Sequence, residues 1–233
     1  MAMPKTQLDA RYLEQASRTE LQTSYAGSKI DYLFIKRALD IFGAVVGLVV
    51  SSPLFLLISL LYLAGSQRGP VFFKQKRIGQ FGKPFYIYKF RSMICNAEEV
   101  LKSNKVLYQK YLDNSYKLEP KEDPRITKIG RFLRKTSLDE LPQLINVLKG
   151  EMSLVGPRPV VSEELKEYKE NRLLFLSVKP GLTGNWQVCG RSEIEYPERC
   201  DVELYYVFHQ SLALDLKIIF KTIIAVLTKK GAY

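Results

Sequence analysis

The stretch IFGAVVGLVVSSPLFLLISLLYLAGSQ, residues Ile41–Gln67, contains no charged residue over 27 positions. As a helix it would extend over ~40 Å, which is more than the ~30 Å hydrocarbon core of a bilayer. A buried core helix of this length would normally show a polar face, and this stretch has none. It begins too far from the first residue to be a signal peptide. The stretch therefore predicts a membrane-embedded helix.

A proline near the middle of the stretch, and the charges around it, indicate how it meets the membrane. Pro53 removes one backbone hydrogen bond and clashes with the preceding turn, so the freed carbonyl needs a serine hydroxyl or neighbouring protein. Positive residues flank the stretch on both sides and favour the cytoplasm for both ends: Lys36, Arg37, Arg68, Lys74, Lys76 and Arg77. We predict a re-entrant helix broken at Ser52 and Pro53, with a single kinked span as the alternative.

The composition limits the chemistry. The chain has 233 residues and 35 Lys+Arg against 24 Asp+Glu, so its formal net charge is +11. This charge predicts an anionic partner: a nucleic acid, a phospholipid or a phosphorylated substrate. The three cysteines have no CxxC spacing, which excludes a cysteine zinc site of that kind and a disulfide framework. One histidine alone offers no Ser-His-Asp set, so any chemistry must use carboxylates and cations.

The rest of the chain predicts an α/β fold of the mixed, mainly helical kind. We divide the whole chain into a polar extension (1–33), a membrane helix-break-helix (34–67) and a small cytosolic catalytic domain (68–233). From Val71 onward, apolar and polar residues alternate around two glycines, which predicts a β-hairpin followed by a strand. Met152–Val155 is typical of a buried strand.

The C-terminal stretch Leu212–Thr228 predicts an amphipathic helix. It is strongly apolar but interrupted by Asp215, Lys217 and Lys221, and the two lysines share one helix face. Two interpretations are equally supported by this pattern. The helix either packs against the core in the ordinary way or lies in the headgroup layer with its lysines toward anionic lipid.

Adjacent carboxylates occur in Ser137-Leu-Asp139-Glu140-Leu-Pro142. A capping box explains them in the ordinary way, but Pro142 belongs in a first helical turn and so displaces the cap from Ser137. Alternatively, Asp139 and Glu140 could hold Mg²⁺ together with substrate phosphates. A helix N-terminus would also keep Asp139 ionised, as a nucleophile must be. The residues alone leave these two interpretations level.

Cations accompany the carboxylates. A basic stripe with a spacing of three residues precedes them: Arg125, Lys128, Arg131 and Arg134. In Gly156-Pro157-Arg158-Pro159 the prolines fix the backbone, so that Arg158 presents a guanidinium suited to bidentate phosphate binding. Arg91 is a similar candidate. The chain contains neither a phosphate-binding P-loop nor a GxGxxG motif.

The order of these features is more specific than any one of them. The chain carries, in order, KRxxD, the central Ser-Pro, FxQxRIG, YKFRSM, SLDELPQLINVLKGEMSLVGPRP, PGLTGNWQVCGR and LDLKII. This series, from about Phe34 to Leu227, closely resembles the bacterial sugar transferases, the monotopic polyprenyl-phosphate phosphoglycosyl transferases. Larger members of that family carry several spanning helices before this region, so the chain resembles a minimal catalytic form or a shortened one.

The resemblance implies transfer of a sugar-1-phosphate from a UDP-sugar to undecaprenyl phosphate, with release of UMP. It implies that Asp139 attacks the phosphate and forms a covalent phosphosugar intermediate, that Glu140 assists with Mg²⁺ and the acceptor, and that Arg158 binds phosphate. Further candidates for binding phosphate or substrate are Arg91, Arg134, Gln187 and Arg191, and the acidic residue expected near the Tyr205-Tyr206 pair is Asp201 or Glu203.

The same resemblance places the protein at the cytoplasmic face of the bacterial inner membrane, at the first membrane step of a surface polysaccharide or glycoconjugate. The expected partners are a UDP-hexose such as UDP-galactose or UDP-glucose, undecaprenyl phosphate and the lipid bilayer, without nucleic acid. A homodimer is one assembly that fits. Two other functions compete with the transferase: a membrane-bound Mg²⁺-dependent phosphohydrolase, and a basic membrane-anchored protein that binds nucleic acid or anionic lipid.

Overall fold

The computed structural model describes residues 30–64, 68–114, 118, 122–190 and 193–228, so most of the predicted extension 1–33 lies outside it. The helices are α1 Ile30–Ala64, α2 Ala97–Ser103, α3 Lys105–Asp113, α4 Lys128–Lys135, α5 Gln143–Lys149, α6 Arg172–Phe175, α7 Asn185–Cys189, α8 Glu198–Phe208 and α9 Leu212–Thr228. The strands are β1 Phe72–Ile78, β2 Pro84–Phe90, β3 Ser153–Val155 and β4 Gly181–Thr183. Three 3₁₀ turns join them, at Gln80–Gly82, Leu138–Glu140 and Glu164–Asn171.

The apolar stretch forms one continuous helix rather than two. Helix α1 runs for 35 residues and includes Pro53, so the predicted break at Ser52 and Pro53 does not interrupt its secondary structure. Local hydrogen bonding explains this: the Ser52 hydroxyl donates to the Val49 carbonyl at 2.8 Å, which is the carbonyl that Pro53 cannot reach. Among the described residues, α1 is the one helix long and apolar enough to cross a membrane.

Both halves of α1 pack against the same folded unit. In the N-terminal half, Ala44 is buried with Leu144 and Val147 of α5. In the C-terminal half, Ile58 and Tyr62 are buried with other apolar residues of the hairpin and α4. The opposite face of α1 remains exposed and apolar, with large side chains that include Phe42, Val49, Val50, Leu56 and Leu63.

The described residues form two small sheets of two strands each. Strands β1 and β2 form an antiparallel hairpin, with Arg77 opposite Phe85 and Phe73 opposite Lys89. The separate third strand expected after the hairpin is absent from the described residues. The turn at Gln80–Gly82 reverses the chain, so the residues after it become the second strand of the hairpin itself.

Strands β3 and β4 are parallel, and the chain segments beyond them approach closely. Ser153 pairs with Gly181, and the Gly181 amide donates to the Pro157 carbonyl at 2.8 Å. A Cβ atom on Gly181 would lie 2.1 Å from the Gly156 nitrogen, so a side chain cannot be accommodated there. The loop after β3 is therefore held backbone to backbone against β4.

Helix α9 confirms the predicted C-terminal helix, and its two sides differ. Asp215 and Ile218 are buried against the domain. The outward side carries large exposed apolar residues, namely Leu216, Phe220, Ile223, Ile224 and Val226, with the exposed lysines at 217 and 221. An ordinary core-packed helix would present a polar outer face, so the exposed apolar side distinguishes α9 from that pattern.

Candidate active site

The carboxylate pair lies in the 3₁₀ turn between α4 and α5. Ser137 adopts a left-handed backbone conformation (φ 55°), and its side chain makes no capping hydrogen bond. Pro142 directly precedes the first residue of α5. The capping-box interpretation is therefore wrong, and helix capping by Ser137 does not account for Asp139 and Glu140.

Glu140 is surrounded by cations from distant parts of the chain. The Lys89 ammonium lies 2.7 Å from its carboxylate, and an Arg158 guanidinium nitrogen lies 3.8 Å away. Lys89 reaches it from β2, where strand alternation places it on the same face as the buried Phe85 and Ile87. An anionic residue is thus held next to two positive groups that could also bind phosphate.

Asp139 is buried, with a relative exposure of 8%. Burial raises the pKa of its carboxyl group; the Lys89 charge opposes that increase, Glu140 adds to it, and Arg134 opposes it. Ionisation of Asp139 is therefore set mainly by burial and nearby charges rather than by the helix N-terminus that the sequence suggested. Within the described residues, no other side chain donates a hydrogen bond to this carboxylate.

Arg158 is presented by the turn after β3, as its flanking prolines predict. Its backbone N–H donates to both carboxylate oxygens of Glu203, at 3.0 and 3.3 Å. Its guanidinium lies 5.8 Å from the ring centre of Trp186. Glu203 is fully buried, and burial raises the pKa of this carboxyl group to about 7 against the opposing charge of Arg199.

The two acidic candidates on α8 are in different environments. Glu203 contacts the backbone of Arg158, whereas Asp201 is exposed on the outer side of the helix. Only Glu203 is therefore connected to the candidate site through a contact in the described part of the chain.

The other candidate cations separate into two groups. Arg134 is half-buried near the carboxylates, where it donates to the Ser92 hydroxyl at 2.9 Å and its charge acts on Asp139. Arg91 instead donates to the Pro70 carbonyl at 2.8 Å, and its guanidinium lies over the Tyr62 ring. These contacts attach the end of α1 to the hairpin, which favours an anchoring role for Arg91 over phosphate binding.

The two remaining candidates come from the glycine-rich loop. Gln187 lies on α7 and lines a small cleft together with Arg77, Ile87, Lys89, Glu140, Gln143, Arg158, Pro159, Gly181 and Leu182. Arg191 lies outside the described residues. The structure thus places Gln187 in the same cleft as Glu140 and Arg158, and Arg191 stays a prediction.

Three charged residues of the site were not among the sequence candidates. Lys89 continues the buried face of β2, and a lysine in such a position was a usable signal. Arg77 lies on the matching face of β1, opposite Phe85, and burial lowers the pKa of its guanidinium to about 10. Arg199 lies 3.6 Å from Glu203, and no pattern in the sequence distinguished it from a surface arginine.

The donor set fits a magnesium ion that is shared with a substrate. Among the described residues, no group of three or more His, Cys, Asp or Glu side chains could hold a metal. Asp139 and Glu140 supply two carboxylates, and Mg²⁺ commonly takes one or two carboxylates together with substrate phosphates and water. The pair therefore suits an ion completed by phosphate oxygens, and it does not form a cage of protein ligands.

A family model described as bacterial sugar transferase matches residues 31–229. The chain is 48% identical over 203 residues to a Salmonella typhimurium protein named undecaprenyl-phosphate galactose phosphotransferase, covering 86% of this chain and 42% of that protein. It is 45% identical over 202 residues to the Sinorhizobium fredii exopolysaccharide production protein ExoY, covering 85% of this chain and 88% of that protein.

A third similar protein, from Escherichia coli, is named UDP-glucose:undecaprenyl-phosphate glucose-1-phosphate transferase. It is 42% identical over 207 residues, covering 85% of this chain and 41% of that protein. The chain therefore spans less than half the length of the Salmonella and Escherichia relatives and most of the length of ExoY.

Proposed function

This chain belongs to the bacterial sugar transferase family, and from that premise we propose that it transfers a hexose-1-phosphate from a UDP-sugar to undecaprenyl phosphate and releases UMP. The observation that carries the proposal is the adjacent pair Asp139 and Glu140, held among Lys89, Arg134 and Arg158 next to an apolar helix. A candidate nucleophile, cations suited to phosphate and an apolar helix suited to a membrane thus lie close together.

In the first step, a carboxylate oxygen of Asp139 attacks the phosphorus that carries the sugar. A new bond joins this oxygen to phosphorus, the diphosphate bond breaks, and UMP leaves with the bridging oxygen. Arg158 and Lys89 lie where they would stabilise the negative charge that develops on the transferring phosphoryl group.

In the second step, a phosphate oxygen of undecaprenyl phosphate attacks the phosphorus of the intermediate. The bond from phosphorus to Asp139 breaks, which restores the carboxylate and yields a lipid-linked diphosphate sugar. Glu140 would orient the acceptor through the cations it contacts. A magnesium ion held by Asp139 and Glu140 would neutralise phosphate charge when it is bound.

The position of α1 supports a re-entrant, monotopic arrangement at the cytoplasmic face. Near one end, Lys36 pairs with Asp215 of α9 at 2.8 Å. Near the other, the Tyr62 hydroxyl donates to the Arg91 carbonyl of the segment that follows β2. The 26 residue-to-residue steps from Lys36 to Tyr62 would measure ~39 Å in a straight helix, more than the ~30 Å hydrocarbon core. Both ends of α1 therefore contact the same domain. If α1 crossed the bilayer, its two ends would lie on opposite sides of the membrane, and these two contacts could not both form.

The outer side of α9 supports its placement in the headgroup layer. Exposed Leu216 and Phe220 would enter the acyl region, while Lys217 and Lys221 would meet anionic headgroups. This arrangement brings the carboxylate pair to the leaflet surface, where the phosphate of the acceptor lies.

The donor we propose is a UDP-hexose, galactose or glucose. One relative is named for galactose transfer and another for glucose transfer, both with undecaprenyl phosphate. The ExoY relative is named for exopolysaccharide production, which supports a place at the start of surface polysaccharide or glycoconjugate synthesis.

The test is UMP release by the detergent-purified protein with Mg²⁺, undecaprenyl phosphate and a panel of UDP-sugars. We expect UMP with a UDP-hexose, dependent on the acceptor lipid and abolished by Asp139→Asn. Sustained UMP release in water without lipid would support a phosphohydrolase instead. A folded protein that released no UMP with any donor would leave the binding-protein function.

A further inference from the structure

Glu203 is a fully buried carboxylate that the proposed chemistry does not use. Both of its oxygens accept the backbone N–H of Arg158, at 3.0 and 3.3 Å. A buried carboxylate is unfavourable unless hydrogen bonds and a nearby cation compensate it. Glu203 meets this requirement through the backbone of Arg158, which indicates a role connected with that arginine.

The local sequence makes this N–H special. In Pro157-Arg158-Pro159 both flanking residues lack a backbone N–H, so Arg158 supplies the only backbone donor of the tripeptide. The prolines fix their own φ angles, and the peptide group between Pro157 and Arg158 has two polar atoms through which hydrogen bonds can orient it. Its carbonyl oxygen accepts from the Gly181 amide, and Glu203 accepts its N–H.

The carboxylate is itself held in place. Arg199, one helical turn before it on α8, lies 3.6 Å away. The Arg199 guanidinium lies 4.2 Å from the ring centre of Trp186 and 4.8 Å from that of Tyr196. Stacking of this kind limits the movement of the guanidinium and so of its carboxylate partner.

The other side of the turn is fixed independently. The Gly156 amide donates to the Thr183 carbonyl at 2.9 Å, and the Gly181 amide donates to the Pro157 carbonyl at 2.8 Å. The segment Gly156–Arg158 is therefore held by hydrogen bonds to β4 on one side and to Glu203 on the other. The Arg158 guanidinium, which extends from this segment, lies 3.8 Å from the Glu140 carboxylate.

We propose that Glu203 is a positioning residue that aligns Arg158 for diphosphate binding by accepting its backbone N–H. The inference rests on the proposed function, because it assumes that the donor substrate presents a diphosphate to Arg158. Glu203 acts through Arg158 and does not touch the substrate itself.

The experiment compares Glu203→Met, which fills the space without an acceptor, with Glu203→Gln, which retains an amide oxygen for the Arg158 N–H. The readout is the dissociation constant of UDP with Mg²⁺, measured by calorimetry, which does not depend on turnover. We expect Glu203→Met to weaken UDP binding about tenfold, in line with one lost hydrogen bond to a charged group, and Glu203→Gln to weaken it much less.

The decisive measurement compares UDP binding by the Arg158→Ala protein with UDP binding by the double variant that also carries Glu203→Met. If Glu203 acts through Arg158, the second substitution has no further effect on UDP binding; an equal, additive loss in both backgrounds would overturn the proposal. Binding unchanged in Glu203→Met would overturn it as well. Glu198→Gln, an exposed site on the same helix, is the matched control.

Folding is checked by the melting temperature of each variant. Where Glu203→Met does not fold, Glu203→Asp replaces it, because its shorter side chain withdraws the carboxylate from the same N–H. A wild-type protein that binds no UDP would contradict the proposed donor, and this outcome is distinct from failure of the positioning role alone.

Discussion

Two buried aspartates of this protein have opposite surroundings. Asp215 accepts hydrogen bonds from the Tyr32 hydroxyl at 2.9 Å, the Lys36 ammonium at 2.8 Å and the Tyr206 hydroxyl at 2.7 Å. Asp139 is buried to a similar degree, at 8% exposure against 4%, but no other described side chain donates a hydrogen bond to it.

The difference in hydrogen bonding indicates that Asp215 stabilises the fold and that Asp139 takes part in the reaction. Asp215 neutralises a lysine and links the start of α1 to α9, so its charge is compensated within the fold. Burial raises the pKa of Asp139, and the cations near it oppose that change without direct hydrogen bonds. A buried carboxyl group whose pKa is raised by burial, next to cations suited to phosphate, is typical of a reacting group.

Substitution of the chemical carboxylate should have the largest effect. Asp139→Asn removes the nucleophile and should lower the rate of UMP release by about 10³-fold or more. Because a raised pKa means that the folded state disfavours the ionised form, Asn should also raise the melting temperature at neutral pH. That gain should diminish as the pH falls and the wild-type carboxyl becomes protonated. An active or destabilised Asp139→Asn protein would contradict this assignment.

Asp215 should show the reverse pattern. Asp215→Ala leaves the half-buried Lys36 without its partner and should lower the free energy of unfolding by about 3 kcal/mol. Thermal or denaturant unfolding in detergent measures this loss. The rate of UMP release per folded molecule should remain within a few fold of the wild type, and a selective loss of turnover without a loss of stability would reverse the two roles.

The pH dependence of turnover sharpens the contrast. An ionised Asp139 is required for attack, so the rate should increase with pH through a pKa above the ordinary aspartate value. Lys89→Met removes the largest charge that lowers the pKa of Asp139, and the acid limb should therefore move to higher pH. Initial rates across the pH range measure the shift. A limb unmoved in Lys89→Met would show that another group controls it.

The smallest effect is expected at the exposed acidic candidate on α8. Asp201→Asn should change the unfolding free energy by less than about 0.5 kcal/mol and leave UMP release unchanged, because its side chain faces solvent. The same two assays measure it. A strong loss of activity in this variant would identify Asp201, rather than Glu203, as the functional acidic residue of α8.

Some of these features could be predicted from local sequence. The charge-free stretch at 41–67 indicated the long apolar helix, and Pro142 indicated that Ser137 does not form a capping box. Gly150, which follows the last residue of α5 in a left-handed backbone conformation (φ 79°), is likewise a signal that the local sequence carries, because this conformation favours glycine. These predictions depend on neighbours in the chain, which the sequence shows directly.

Features that depend on distant residues could not be predicted in the same way. The contact between Lys89 and Glu140 joins residues 51 positions apart, and it requires the hairpin to pack against the turn before α5. The Arg91 Nε–H donates to the Pro70 carbonyl, 21 positions away, a contact that the local sequence did not indicate; phosphate binding by Arg91 stays a prediction. The continuity of α1 past Pro53 depends on the rotamer of a serine side chain, which the sequence does not specify.

The most direct test of the account is the intact mass of the protein after incubation with Mg²⁺ and the preferred UDP-sugar, in the absence of acceptor lipid. We predict an added sugar phosphate on the peptide that contains Asp139, removed by undecaprenyl phosphate and absent in Asp139→Asn. Turnover to a lipid-linked product without any such adduct on rapid quenching, or an adduct on another residue, would contradict the assignment of Asp139 as the nucleophile.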